Sequence, residues 1–179
     1  MEETKRIGRR LVQKGHVIDF YEDDILLPDG RVAKWDFIKH KGAAAVVAVR
    51  NDGKILMVRQ YRNTADRQTL EIPAGARNTA DEPTLICASR ELEEETGYHS
   101  DNLELLLTLR TAIAYCDEFI DVYVARDLVP TAQHLDEDEF LDVEAYTMEE
   151  LLGMIYSREL EDTKTISALL AYQVKYLAR

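Results

Sequence analysis

Residues 43–49, Ala-Ala-Ala-Val-Val-Ala-Val, form a continuous apolar run of the length and type of a buried strand. A strand that is apolar at every position has to be covered on both faces. Asn51-Asp52-Gly53 is turn chemistry, and it leads into a second strand over 54–60. Further strands are predicted at 69–72, which ends in Pro73-Ala74-Gly75, and at 103–112, 118–125 and 141–146. A helix is predicted from Pro83, suited to the first helical position, to Gly97, suited to the residue after the last. Thr147-Met148-Glu149-Glu150 reads as a capping box for a second helix through Arg158. A third helix, 164–178, places Ile166, Leu169, Leu170 and Leu177 on one broad face. Strands and helices mix without regular βαβ alternation, so the fold class is α+β or a mixed-sheet sandwich.

Before Gly42 the pattern differs. Residues 17–27 and 31–39 are rich in β-branched and aromatic side chains, and Pro28-Asp29-Gly30 between them is a turn. The expected antiparallel hairpin is too small to be stable alone and must pack on the rest of the chain or on a partner. Acidic residues outnumber basic ones by 34 to 22, a net charge of −12. Such a surface repels nucleic-acid backbones and anionic membranes, so neither is an expected partner. No apolar run approaches the ~20 residues that span a bilayer. Met1-Glu2-Glu3-Thr4-Lys5-Arg6 lacks the apolar stretch of a signal peptide, and Cys87 and Cys116 have no metal-binding or disulfide spacing. The two read as free thiols of a reducing compartment, and the expected location is the cytoplasm.

The segment Ser89-Arg90-Glu91-Leu92-Glu93-Glu94-Glu95-Thr96-Gly97 carries the chemistry. On a helix, Ala88 and Leu92 form a stripe that faces a core, and Glu91, Glu94 and Glu95 share one arc of ~100° beside it. Three carboxylates on one arc repel each other, more strongly as they are buried. A divalent cation reverses that sign, and an all-oxygen set without His or Cys selects Mg²⁺, with Mn²⁺ as its substitute. On spacing alone, a solvated acidic face accounts for the segment as well.

Glu82, Arg90-Glu91-Leu92, Glu94-Glu95 and Gly97-Tyr98 match the spacing of the Nudix box, GX5EX7REUXEEXGU, in which U is an aliphatic or similar residue. Its leading glycine falls one residue off: six residues separate Gly75 from Glu82, and the in-register position is Ala76. The chain thus resembles the Nudix hydrolase superfamily. Val58-Arg59-Gln60-Tyr61-Arg62, Glu71-Ile72-Pro73-Ala74-Gly75, the acidic stretch 135–139 and Asp162-Thr163-Lys164-Thr165 extend the resemblance to its ADP-ribose pyrophosphatase branch.

The resemblance implies an αβα sandwich with a mixed β-sheet over 42–179. It also implies an N-terminal antiparallel β-hairpin region over 1–41 that is exchanged with the partner of a homodimer. The reaction implied is Mg²⁺-dependent hydrolysis of a nucleoside diphosphate sugar, most directly ADP-ribose to AMP and ribose 5-phosphate. GDP-mannose or another nucleotide sugar is the alternative substrate, and a non-catalytic Nudix-fold nucleotide sensor the alternative class. By the same resemblance, Glu91, Glu95 and the carbonyl of Ala74 ligate metal, with Glu94 ligating it or orienting a metal-bound water. Glu137 is implied as general base, with Glu139 its competitor. Gly75, Glu82, Arg90 and Gly97 are structural members of the motif, Arg90 orienting the acidic face by ion pairing.

Arg62 is a candidate phosphate contact or an ordinary surface arginine, and Glu71 a substrate-binding or supporting residue. Lys164 and Thr165 read as the cap and first turn of the last helix. Two features depart from the branch. Thr111-Ala112-Ile113-Ala114-Tyr115-Cys116 stands where a Ser-Pro-Gly turn is usual, although Asp117-Glu118 follows as expected and keeps Glu118 a substrate-binding candidate. Trp35-Asp36 stands where an Arg-Glu pair is common; Trp35 either stacks on a base or anchors a dimer interface.

Overall fold

A computed structural model of the chain describes residues 3–16, 18–135, 137 and 139–178. Val17 of the first expected strand, and Asp136 and Asp138 of the acidic stretch, lie outside the described residues. The chain divides into two units: the residues up to Gly42 together with Arg110–Phe119, and Ala43–Leu109 together with Ile120 onward.

The first unit is built on an antiparallel sheet of β1 (Lys5–Lys14), β2 (Asp19–Leu26) and β3 (Val32–Lys39), in that order. The expected hairpin is β2–β3, closed by Leu27 N–H to the Arg31 carbonyl at 2.8 Å, with Gly30 at φ 84°. Strand β1 was not legible in the sequence. Its pairing with β2 shifts register between Arg6 and Gly8 and again between Leu11 and Gln13. Each shift reverses which residues face inward and so erases the two-residue alternation that marks a strand. Arg9 fixes β1 onto the sheet, donating from Nε and Nη2 to the Asp23 carboxylate at 2.6 and 2.7 Å, with its guanidinium 3.3 Å from the Phe37 ring centre. The Arg110–Phe119 segment docks through Ile38 N–H to the Tyr115 carbonyl at 2.7 Å and His40 N–H to the Asp117 carboxylate at 2.8 Å.

In the second unit the strands are β4 (Ala43–Val49), β5 (Ile55–Arg62), β6 (Arg67–Glu71) and β7 (Ala74–Ala76), followed by helix α1 (Thr84–Thr96). Then come β8 (Tyr98–His99), β9 (Asn102–Arg110), β10 (Phe119–Arg126), β11 (Val129–Pro130) and β12 (Leu141–Tyr146). Helices α2 (Met148–Ser157) and α3 (Thr163–Tyr172) close the chain, α3 passing into a π-helical turn, Gln173–Leu177. The main sheet runs β12-β5-β4-β10-β9, with β6 on β5 and β7 on β4. β4 is parallel to β10 and antiparallel to β5, so the sheet is mixed.

The apolar run at 43–49 sits in the middle of this sheet and serves both faces. Ala43, Ala45 and Val47 pack with Leu151 of α2 and Ala168, Leu169 and Tyr172 of α3. Ala44, Val46 and Ala48 pack with Cys87, Ala88 and Leu92 of α1. The result is the α+β, αβα sandwich. Burying Leu92 completely contributes about 2–3 kcal/mol, and it seats α1 with its acidic arc beside the sheet.

Two helix readings need correction. Pro83 is the N-cap, not the first helical residue: its ψ of 135° is extended while its carbonyl already accepts from Ile86 and Cys87 N–H. In α3 the buried face is Thr165, Ala168, Leu169 and Tyr172, whereas Leu170 and Leu177 are exposed. The π-helical turn rotates the last residues off the face that a single α-helix would give them. The Thr147–Glu150 capping box is present with both reciprocal hydrogen bonds. Cys87 and Cys116 are free thiols, and no helix among the described residues is long and apolar enough to cross a membrane.

Candidate active site

Helix α1 ends where its sequence says it should. Gly97 takes the left-handed conformation, φ 67°, and donates to the Glu93 carbonyl. With Ala88 and Leu92 against the sheet, Glu91 and Glu95 fall on the flank of the buried stripe, 8% and 1% exposed. Glu94 is half-exposed one step further round, and Glu93 points away, its carboxylate 3.5 Å from the His99 ring.

The segment that faces these carboxylates is the link from β6 to β7. The Pro73 carbonyl accepts from Val46 N–H at 2.9 Å, and Ala74 N–H donates to Glu95 Oε2 at 2.9 Å. Gly75 lies directly against Glu91, so close that a Cβ built there would overlap the Glu91 carboxylate. The glycine one residue off the motif spacing is therefore the one whose missing side chain makes room for the acidic face.

Burial pushes the Glu91 carboxyl up to about 7 and the Glu95 carboxyl up to about 8. For Glu91, Arg90 opposes the shift, while the Glu94 and Glu139 charges add to it. For Glu95, the Ala74 N–H opposes it, and Glu91 and Glu139 add. Arg90 is the cation among these groups. Its Nη1 donates to Glu91 at 2.6 Å and Glu94 at 2.8 Å, its Nε lies 3.4 Å from Glu82, and its Nη2 donates to the Ala76 carbonyl at 3.2 Å. Glu82 in turn accepts from Asn78 N–H at 2.5 Å, so Arg90 also ties down the loop before α1.

Among the described residues, no three Asp, Glu, His or Cys side chains converge closely enough to hold an ion as they stand. Arg90 Nη1 sits between the carboxylates in the place such a charge would serve. The donor set itself fits a hard divalent cation. It is all oxygen, it is buried enough that its own negative charge is costly, and the Gly75 cradle leaves it uncovered.

Arg62 and Glu71 meet in a two-toothed ion pair, Nε and Nη2 each 2.8 Å from a carboxylate oxygen. Glu71 is 3% exposed and also accepts from Thr69 and Lys164. Burial alone would raise its carboxyl, but Arg62 and Lys164 outweigh it and hold it at about 2. These residues border a cavity of about 490 Å³ with Asn63, Thr64 and Asp162 on its wall. Glu137 is exposed, whereas the Glu139 charge is felt by both Glu91 and Glu95.

In the first unit, Trp35 and Asp36 line a cavity of about 430 Å³ with Arg110, Ile113, Tyr115 and Asp117. The two sequence departures from the branch thus fall on one cavity wall. Glu118 accepts from the Thr111 hydroxyl at 2.5 Å and lies 3.3 Å from His40 Nδ1. Lys164 and Thr165 do lie in the first turn of α3, but Asp162 is its cap, and both side chains reach back toward β6. That contact spans some 93 residues of sequence, and only the polar cluster Asp162-Thr163-Lys164-Thr165 hinted at it.

The NUDIX domain family matches residues 39–169, and the chain belongs to that family. It is 41% identical over 177 residues to the ADP-ribose pyrophosphatase of Bacillus subtilis (strain 168), covering 98% of this chain and 92% of that one. It is 39% identical over 175 residues to the methanol dehydrogenase activator of Bacillus methanolicus, covering 97% and 94%. A crystal structure of an ADP compounds hydrolase superposes with a TM-score of 0.85 over 97% of this chain and 94% of that one, at 20% identity, a likeness of fold.

Proposed function

We propose that this chain hydrolyses the diphosphate bond of nucleoside diphosphate sugars, ADP-ribose first, with Mg²⁺ as cofactor and Mn²⁺ as its substitute. The observation that carries the reading is the buried pair Glu91 and Glu95 on α1, held against Gly75 and Ala74, in a chain that aligns over 98% of its length with an ADP-ribose pyrophosphatase. Water adds to one phosphorus, the P–O–P bridge breaks, and AMP and ribose 5-phosphate leave. A divalent cation, when bound, supplies charge neutralisation of the diphosphate and a lower pKa for water. Glu91, Glu95 and the Ala74 carbonyl would hold it, with Glu94 beside them. Arg90, freed from Glu91 and Glu94, would keep its ties to Glu82 and Ala76 and so hold the loop.

Glu139 or Glu137 takes the proton from the attacking water. Arg62 has Nε and Nη2 engaged by Glu71, so a phosphate contact would run through Nη1. Trp35 and Asp36 offer a flat apolar face beside an acceptor, suited to a base with an exocyclic amine; Glu118 would support the segment beside them. The N-terminal sheet leaves Ile7, Leu11, Val12 and Val32 exposed, which supports a homodimer in which that sheet is covered by a second copy. The free thiols are in keeping with a cytoplasmic protein.

The deciding experiment measures Mg²⁺-dependent AMP release from ADP-ribose, with GDP-mannose and other nucleotide sugars alongside and Glu95→Gln as control. Release that needs Mg²⁺ and is lost in Glu95→Gln is expected. Tight ligand binding without turnover of any of these substrates would replace the hydrolase with a nucleotide sensor.

A further inference from the structure

Four consecutive residues, Glu71 to Ala74, are each held by another element of the second unit. The Glu71 carboxylate is gripped by Arg62 of β5 and Lys164 of α3. Ile72 N–H donates to Thr165 Oγ1 of α3 at 3.0 Å, the Pro73 carbonyl accepts from β4, and Ala74 N–H donates to Glu95 of α1. The α3 end of this arrangement is organised by one carboxylate oxygen. Asp162 Oδ2 accepts from Thr165 N–H at 3.0 Å, from the Thr165 hydroxyl at 2.6 Å and from Lys164 Nζ at 2.9 Å. Because the Thr165 hydroxyl gives its proton to Asp162, the lone pair facing Ile72 is an acceptor by construction. Thr165 is completely buried, so no water can replace it.

We infer that the first turn of α3 positions the loop carrying Ala74, making Thr165 and Lys164 positioning residues for the cation site on α1. The inference rests on the hydrolase reading only in needing that site. Ala74 and Gly75 touch Glu95 and Glu91 directly, so a small displacement of the link from β6 to β7 moves both carboxylates. Ile72 and Glu71 are where α3 resists such a displacement. Thr165→Val keeps the shape but leaves the Ile72 N–H buried without an acceptor, and Lys164→Met removes one of the two cations gripping Glu71.

The test titrates Mn²⁺ into wild type, Thr165→Val, Thr165→Ser, Lys164→Met and Lys164→Arg by electron paramagnetic resonance. Mg²⁺-dependent kinetics and thermal unfolding of the same proteins run in parallel. Thr165→Val and Lys164→Met are expected to weaken Mn²⁺ binding by roughly 10–100-fold, the range found for groups that orient metal ligands. Their kcat should fall while KM for ADP-ribose at saturating Mg²⁺ holds, and Thr165→Ser should restore both binding and kcat. Wild-type Mn²⁺ affinity in Thr165→Val and Lys164→Met, with only a lower Tm, would overturn the inference. Should Thr165→Val fail to fold, the comparison of Lys164→Met with Lys164→Arg decides it. A wild type that binds Mn²⁺ but hydrolyses no nucleotide sugar overturns the hydrolase reading and leaves the Mn²⁺ comparison to judge this one. A wild type that binds no Mn²⁺ overturns both.

Discussion

Gly75 and Glu91 share a space that only one of them can fill: the Glu91 carboxylate lies where a side chain at residue 75 would begin. The atoms in the way are the far end of a flexible side chain, not backbone. A residue with a Cβ can therefore be accommodated, at the cost of moving the carboxylate.

Gly75→Ala is expected to fold with a Tm near that of wild type and to lose roughly 10–100-fold in activity or Mg²⁺ affinity, because Glu91 is displaced. Ala76→Gly, at the position the motif spacing would assign to the glycine, should leave activity unchanged. Equal activity in Gly75→Ala and wild type would show that the contact does not matter to the site.

The raised Glu91 and Glu95 carboxyls make stability depend on pH with a definite sign. Folded, they release their protons near 7 and 8; unfolded, near 4.5. Between those values the folded chain binds more protons, so their contribution is complete below about pH 4.5 and is lost as pH rises toward 8. Glu71, held at about 2, works in the other direction, and only in acid: its stabilisation is present above 4.5 and fades as pH falls toward 2. Chelator-treated protein should therefore lose on the order of 10 °C in Tm between about pH 5 and pH 8. Added Mg²⁺ should raise Tm progressively more across the same window, since cation binding requires the ionised carboxylates. A pH-independent effect of Mg²⁺ would argue against these two residues as ligands.

Arg90 is a fork shared by Glu82, Glu91, Glu94, the Ala76 carbonyl and Cys87 Sγ, and a lysine cannot reproduce it. Arg90→Lys is expected to keep the charge near Glu91 but to lose the reach to both Glu82 and the Ala76 carbonyl. Stability should fall by about 1–3 kcal/mol, as for a partly buried charged hydrogen bond removed from its partners. Denaturant unfolding would measure this, and the loss should shrink when Mg²⁺ is present to neutralise Glu91 and Glu94.

What the sequence disclosed and what it hid follow one physical rule. The order of the longer elements from Ala43 on was legible because local patterns set it: an apolar run, turn residues and a capping box are all read within a few positions, whereas the two- and three-residue strands β7, β8 and β11 are too short to show a pattern. The glutamates of α1 were legible for the same reason, since helical spacing alone puts them on one arc. Strand β1 was hidden because its two register shifts break the alternation. The outward turn of Leu177 was hidden because a π-helical turn changes the angular step, whereas Leu170, still within α3, sits beside the buried stripe and not in it. The grip of Lys164 and Thr165 on Glu71 and Ile72 was hidden because it joins residues far apart in the chain that no local pattern connects.

Trp35 is the only tryptophan, 51% exposed on the cavity wall with Asp36, so its emission reports on that wall. Stacking of a base should quench it, and AMP is the simplest probe. Trp35→Ala is expected to raise KM for ADP-ribose roughly tenfold, the low end of a lost aromatic stack of about 1–3 kcal/mol, with kcat little changed. Unaltered emission on adding AMP, together with an unaltered KM, would return Trp35 to the role of an interface anchor.

Glu139 and Glu137 differ in what their charges reach. The charge of Glu139 raises both Glu91 and Glu95, whereas Glu137 is exposed. A base for a water held by the acidic face needs to be near that face. Glu139→Gln is therefore expected to lower kcat by roughly 10²–10⁴-fold, the usual scale for a lost general base, and Glu137→Gln by far less. A second reading separates chemistry from charge. Removing the Glu139 charge should also flatten the loss of Tm between about pH 5 and pH 8 in chelator-treated protein, because Glu91 and Glu95 are then raised less. If Glu137→Gln proves the more damaging while Glu139→Gln shows only the flattened pH profile, Glu137 takes the proton and Glu139 only sets the charge of the site.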